Sequence, residues 1–432
     1  MKSGNKYQHG QALVIIAIAF LSLIAIVGLA VDGGYAYADR RQAQNAADTS
    51  AMAAALAYSN NPSISDSSIL TLVVGSTSTN GYNNSSPRSI VTVTRLNAPG
   101  ECDPYVAGVH FHVDITSQVP TFFSGVVGVN SITNHVSARS LSCPPHPAPA
   151  GLGNAITALD PTACPGVTVT GNTQIFVSST TNQGIFVNSS CNEGINSSQV
   201  ALAAGGNGTV TSPSVNVVGG VYGQNIFAPT VVNTGVEPLH FGFQWPVFTS
   251  AICGNTVTAT TVGGVTTFTP GVYPGTNSTW SNKRFPPNTN VIMQPGVYCF
   301  DNSFEIQANT ILNGSGITIV QRAGDTVFRG GNGVNLSAPT SGIYKGLLVF
   351  FPQTNTAGKL IVNGNAALKI NGSLVAPWST VELNGGGSVS APLETQVIAD
   401  TLKFAGSNNL YLTYNAENQY QVSVPGALEL FR

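Results

Sequence analysis

His110, His112 and Asp114 occupy every second position of VHFHVDITSQV (109–119), the spacing that puts side chains on one face of a β-strand. Two imidazoles and a carboxylate are ligands for a transition metal. Same-face neighbours on a single strand splay apart, so a metal site would need a further ligand from another element. Without one, the trio is the wet face of a half-covered sheet, with Val109, Phe111, Val113 and Ile115 turned to a core. That second reading is the expected one, and neither a metal nor a cofactor is assigned.

Acid–base chemistry needs carboxylates that converge. Beyond residue 150 they are sparse: Asp160, Glu193, Glu237, Asp301, Glu305, Asp325, Glu382, Glu394, Asp400, Glu417 and Glu429. Asp301 with Glu305, or Asp325 with Arg322 and Arg329, are the sets that could meet. No repeated motif marks them, and closing a turn or facing water is the simpler role for each. Nucleophile-elbow, zinc-protease, phosphate-loop and calcium-loop motifs do not occur. The chain is expected not to be an enzyme, with no catalytic residue assigned and a carbohydrate-active β-helix as the remote alternative.

The elements that hold these residues begin with Ala12 to Val31, 20 uncharged and mostly apolar residues. As a helix this run rises about 30 Å, enough to cross a bilayer's hydrocarbon core. A secretory signal has a shorter apolar core of roughly 7–15 residues and a cleavage site after it. Here the helical pattern continues through the run, so a retained anchor is expected. Lys2 and Lys6 bias the N-terminus toward the cytoplasm and the body toward export, facing the periplasm or cell surface. From Tyr35 to Ala57 the composition is rich in helix formers. Ala43, Ala47, Ala51 and Ala54 or Ala55 form a small-residue stripe that admits close approach. The stripe either packs on the protein's own β domain or serves helix-to-helix assembly.

Across Gly10 to Ala57, the order GQALVIIAIAFLSLIAIVGLAVDGGYAYADRRQAQNAADTSAMAAALA resembles the N-terminal domain of TadE/TadG-like proteins of Flp (tight adherence) pilus systems. The positions that carry the resemblance are Gly10, Gln11, Asp32, Tyr35 or Tyr37, Arg40, Arg41, Gln44, Asn45, Ala46, Ala47, Asp48, Ala51, Ala53, Ala54 and Ala55. TadE-like prepilins are cut after a glycine and keep a glutamate five residues into the mature chain. The fifth residue after Gly10 is Ile15, so the resemblance points to an uncleaved, TadG-like anchor. It implies partners among pilus or secretion components, reached through the Ala-rich helix.

Composition describes the rest. Charged residues are 8% of the chain, against an ordinary level near 25%. Apolar residues stay abundant, so disorder is excluded. A net charge of -2 without a basic cluster excludes an electrostatic nucleic-acid footprint. Six cysteines at 102, 143, 164, 191, 253 and 299, in an exported setting, favour disulfides. Sequence order and domain division favour 102–143, 164–191 and 253–299 among the fifteen possible pairings.

SIVTVTRL (89–96), VHFHVDITSQV (109–119) and SITNHVSARSL (131–141) alternate as strands, with a short helix in PTFFSGVVG (120–128). After CPPHPAPAG (143–151), short apolar strands alternate with Gly-Asn, Asn-Gly and Pro-Gly turns. Leu368, Ile370, Leu374, Ala376, Val381 and Leu383 are the inward set of one such run. Segments 295–350 and 371–385 also resemble the Gly/Asn-rich C-terminal region of TadG-like surface proteins.

The expected fold is mainly β, with a right-handed parallel β-helix-like solenoid over 152–432 and a β-sandwich as the alternative. A membrane anchor and outward helix (1–58, spanning at about 12–31), a small α/β domain (59–143) and a Pro-rich linker (144–151) precede it. The expected function is a membrane-anchored, exported structural or assembly protein of a Flp/Tad-like pilus system, its body a spacer or an adhesive surface for glycans. The alternative is a free-standing adhesin or envelope scaffold.

Overall fold

The computed structural model describes residues 9–84, 88–102, 106–227, 230–239, 244–274, 289–306, 310–329, 333–364, 368–385, 392–407 and 409–431. The chain forms two compact units, Met1–Pro147 with Ser423–Arg432, and Ala148–Val422. The division falls inside the Pro-rich tract. The last ten residues, read from sequence as the end of the solenoid, instead belong to the first unit.

In the first unit, helix α1 (His9–Asn60) runs 52 residues without a break. Helix α2 (Asp66–Ser78) follows, its first turn capped by the Ser65 hydroxyl, which accepts from the Ser68 N–H at 3.2 Å. Strands β1 (Ser89–Ala98), β2 (Gly108–Pro120) and β3 (Ser131–Cys143) form an antiparallel sheet. The C-terminal strand Ala427–Phe431 adds to the free edge of β3, Leu141 opposite Glu429. Alternation along β2 sends Phe111, Val113 and Ile115 into a core with Ile69, Val73 and the α1 alanines. Cys102–Cys143 ties the chain before β2 to the end of β3.

In the second unit, short strands visit three sheets in turn. Ile156–Ala158, Val167–Val169 and Gln174–Ser179 lie one in each, and Ile185–Val187, Leu202–Ala204 and Thr209–Thr211 repeat the circuit beside them. Described strands number ten, eight and ten in the three sheets. Among the described strands of these sheets pairing is parallel, apart from Thr260–Val262 on Val265–Phe268, and an isolated antiparallel bridge joins Asn192 to Val200. Each strand keeps alternate residues inside: Val381 and Leu383, then Leu402 and Phe404, are fully or almost fully buried, while Lys403 between the latter pair is exposed. Sequence correctly picks Leu368, Ile370, Leu374, Ala376, Val381 and Leu383 as inward, and all six are buried.

The order of winding was not expected. The first circuit stacks on the last: Ile156–Ala158 pairs with Val397–Ala399, Val167–Val169 with Leu402–Gly406, and Gln174–Ser179 with Leu410–Tyr414. The chain thus enters mid-stack and winds to one end. It passes to the other end through residues 235–259, then winds back to the middle. Nine inter-strand steps of about 4.8 Å make a span of roughly 43 Å, well within the reach of some 25 extended residues.

This passing segment is pinned along its way. The Leu239 N–H donates to Asn188 Oδ1 at 2.9 Å, and the Phe248 ring stacks on Tyr344 with centroids 4.9 Å apart. Cys253 is bonded to Cys299, and the Val257 N–H donates to the Val272 carbonyl at 2.9 Å. Cys164–Cys191 closes the third bridge within the first circuits.

At the corner after the second sheet, glycines stack where first and last circuits meet. A Cβ on Gly171 (φ +85°) would lie 2.3 Å from the Gly406 carbonyl oxygen, and one on Gly406 would lie 2.3 Å from that of Gly385. Gly171→Ala should therefore cost about 2 kcal/mol or more, through backbone strain and backbone clash. Gly342→Ala, with a similar φ of +83° and open space around it, should cost clearly less. Guanidinium unfolding of the full chain in detergent checks the difference, and equal costs would contradict the observed stacking. Cys253→Ser with Cys299→Ser should lower stability by about 2–4 kcal/mol and open 244–259 to proteolysis.

Candidate functional site

The residues that resemble a known motif gather where α1 meets its sheet. Burial along α1 starts at Gly28 and continues through Asp32, Ala36, Ala43, Ala46, Ala47, Asp48, Ser50, Ala51, Ala54 and Ala55. Alanine's small side chain lets the strands approach the helix backbone itself. Ser140 Oγ donates to the Ala51 carbonyl at 2.7 Å, Ser142 Oγ to that of Ala55 at 2.8 Å, and Gln44 Nε2 to that of Ser137 at 2.9 Å. The alanine stripe is thus covered by the protein's own sheet and α2. A second helix cannot use that face, which corrects the partner route expected through it.

Asp32 is almost completely buried, and its carboxylate collects three backbone amides from the turn after β2. Phe122 donates to Oδ1 at 2.8 Å, Phe123 to Oδ2 at 3.1 Å and Ser124 to Oδ2 at 2.7 Å. These donors sit at the start of the short 3-10 helix Ser124–Val127, the element expected within 120–128. Burial acts to raise the Asp32 pKa, and the N–H groups of Phe122 and Ser124 overcome it, holding the carboxyl at about 2.

Two turns further on, Asp39 makes a second clasp that sequence reading missed. Tyr82 Oη donates to its Oδ1 at 3.0 Å, while Ser117 Oγ and Asn134 Nδ2 donate to its Oδ2 at 2.6 and 2.7 Å. Burial and the facing Asp39 charge push the Tyr82 hydroxyl well above its ordinary pKa, which keeps it a donor. A signal was present: carried back from Ala43 at helical spacing, the alanine stripe runs through Asp39, Ala36, Asp32 and Gly28.

The other motif residues divide. Gln44 Nε2 also donates to Asp48 Oδ1 at 2.9 Å, one turn along the helix. Arg40, Arg41 and Asn45 are exposed. Arg41, Gln44, Asn45 and Asp48 line a shallow depression of about 280 Å³ with Ser137. Gly10 and Gln11 lie within α1, but their side chains fall outside the described residues, as do Lys2 and Lys6.

Residues 10–57 match the model of the family described as "Putative Flp pilus-assembly TadE/G-like". The match ends with the helix, and the likeness read in 295–350 and 371–385 gains nothing from it. No curated protein matches the chain. A crystal structure of the competence-associated pilin ComZ from Thermus thermophilus is similar over 80% of this chain and 89% of that one, at 11% identity. Its TM-score of 0.21 is too low to carry an argument.

The candidate metal trio does not converge. His110 is buried, its Nε2 2.8 Å from Glu101 Oε2 and its Nδ1 3.3 Å from the Ser140 carbonyl oxygen. His112 and Asp114 are half-buried, the latter's Oδ1 4.0 Å from His135 Nε2. Among the described residues no three His, Cys, Asp or Glu side chains gather as metal ligands. The candidate acid sets are paired otherwise. Asp301 makes a two-pronged pair with Arg322 at 2.7 and 2.8 Å, and Glu305 pairs with Arg329 at 2.7 Å. Asp325 instead accepts from the Lys359 N–H, and Lys359 Nζ donates to Glu382 at 2.9 Å. Each pair links neighbouring circuits.

Asp32→Asn should speed hydrogen exchange at the Phe122, Phe123 and Ser124 amides, because an amide NH₂ meets N–H donors where a carboxylate oxygen accepted them. The folded-state pKa lies below the unfolded value near 3.9, so in the native protein this protection is full above about pH 4 and is lost as pH falls toward 2. Unchanged exchange in the variant would contradict the clasp.

Proposed function

We propose that the protein is a membrane-anchored, exported structural component of a Flp/Tad-like pilus system. The observation that carries this reading is how the matched segment divides. Asp32, Asp48 and the alanines of the motif are consumed by the fold, whereas Arg40, Arg41 and Asn45 remain on the surface. Fold-building accounts for the first set. The second is left for an assembly partner, met at the depression lined by Arg41, Gln44, Asn45 and Asp48.

The apolar run Ala12–Val31 is the single-pass anchor, supported by one helix long and apolar enough to cross a membrane among the described residues. Its N-terminus is cytoplasmic, by the charge bias of Lys2 and Lys6, and the body is exported. The three parallel sheets are the faces of a right-handed parallel β-helix, supported by their rotation in strand order from Ile156–Ala158 to Val221–Tyr222 and again from Gly296–Phe300 to Leu410–Tyr414. This body is a rigid spacer or adhesive surface and not an enzyme. Outward polar ladders such as Asn233 on Asn216 and Asn384 on Asn363, bonded at 2.9 and 3.0 Å, suit many weak contacts to surface glycans.

A photo-crosslinking residue placed at Arg41 or Asn45 in the native host should capture a pilus-assembly component, and one at the exposed Ser67 of α2 should not. Crosslinks to lipid alone, or identical products from all three sites, would overturn the assembly role and leave the free-standing adhesin. Arg41→Ala should keep the melting temperature while abolishing the crosslink from Asn45.

A further inference from the structure

The turn between β2 and β3 has a surface that the fold does not cover. Along α1 every residue from Ala12 to Val27 is exposed, and Gly28 is the first buried one. What covers it is this turn: a Cβ on Gly28 would come within 2.6 Å of the Phe123 side chain. Contact therefore begins inside the apolar run that ends at Val31. Gly28 lies three residues, about 4.5 Å of helix, before that end.

At the same level, the other faces of α1 still present Leu29 (69% exposed) and Val31 (46% exposed). Those side chains require lipid, and whatever lies beside them shares their depth. The turn, Thr121 to Asn130, reads TFFSGVVGVN and has no charged residue. It exposes Phe122 (67%), Val126 (89%), Phe123 and Val129, while Tyr35, just past the run, meets the Phe122 ring edge-on at 6.0 Å.

Seven of the turn's ten backbone amides are already bonded within the protein. Asp32 takes the amides of Phe122, Phe123 and Ser124. Thr121 N–H donates to Asn130, Val126 to Phe123, Gly128 to Gly125 and Val129 to Ser124, all at 3.1–3.2 Å. Satisfied amides are the condition for irregular backbone near hydrocarbon.

We infer that the turn Thr121–Asn130 is a second membrane contact, whose exposed Phe122, Phe123, Val126 and Val129 enter the headgroup–acyl boundary beside α1. The occupant is the bilayer itself, continuous with the surface that already holds the helix. Asp32, by gripping the turn, fixes which side of α1 carries it. The body then resists rotation about the helix axis, which a lone spanning helix leaves free.

The inference rests on the spanning reading of Ala12–Val31, and one experiment separates the two. All six cysteines are in disulfides. A single introduced cysteine therefore takes an environment-sensitive nitrobenzoxadiazole label selectively. The full chain is reconstituted in phosphatidylcholine/phosphatidylglycerol vesicles with doxyl-lipid quenchers. Label at Val126→Cys should shift to the blue and be quenched at least about threefold more than at Ser67→Cys, as for a group some 5–10 Å into the interface. Ile18→Cys reports the span. Quenching at position 18 with none at 126 would overturn the second contact alone, and no quenching at either would overturn the span. A blue shift at 126 without lipid quenching would mean that protein covers the turn, which also overturns the inference.

Discussion

One helix with two kinds of surface sets the terms for the first unit. Helix α1 runs unbroken from His9 to Asn60, apolar on all sides over Ala12–Val27 and one-sided from Gly28 onward. Where a helix that is apolar all round becomes one-sided, its remaining apolar face must be buried against the protein. Here the face is narrowed to glycine and alanine, so that β-strands come close enough for Ser140 and Ser142 to reach helix carbonyls that already accept helical bonds. Small side chains contribute little buried area each, and the interface depends on closeness and hydrogen bonds more than on bulk. The two aspartates belong to the same constraint. Asp32 and Asp39 bind backbone and side-chain donors of the sheet at the point where helix–sheet packing starts.

The second unit is inserted between two strands of the first, since β3 precedes it and Ala427–Phe431, which pairs with β3, follows. Neighbouring strands lie about 4.8 Å apart, so both ends of the insertion must be close together. A stack wound from one end to the other would separate its ends by roughly the 43 Å that nine strand spacings occupy. Starting and finishing mid-stack meets the requirement, at the cost of a long return segment. That explains residues 235–259, and it explains why they are fastened by Asn188, by the Phe248 stack and by Cys253–Cys299. An unfastened return would lie on the sheets as a mobile strand-like segment open to cleavage.

Much of this was legible because it depends on local pattern. The alternation of Phe111, Val113 and Ile115, the inward set from Leu368 to Leu383 and the Gly-Asn corners each follow from strand geometry alone. The return of Ala427–Phe431 to the first sheet was not legible, because its alternation suits any half-covered edge and nothing local says whose. The mid-stack entry was hidden for the same reason: parallel rungs carry similar sequences, so adjacency of Val167–Val169 and Leu402–Gly406, 235 residues apart from first residue to first residue, leaves no local trace. Asp39 lay in plain view on the stripe that holds Asp32 and Ala43. Its partners, Ser117 and Asn134, come from distant strands.

The distribution of charge bears on what the second unit is for. Among its described carboxylates, Asp160 lies beside Asp400, whose pKa burial raises with help from the Asp160 charge. Asp301, Glu305 and Glu382 are each met by a cation from the adjoining circuit, Arg322, Arg329 and Lys359. Partly exposed pairs of this kind contribute little stability, with a median of about 0–1 kcal/mol. They do, however, favour one register between rungs whose backbones would pair as well when slipped by two residues. Among the described residues, these pairs and ladders such as Asn384 on Asn363 and Thr380 on Thr401 run along the stack from circuit to circuit. That organisation repeats from one circuit to the next.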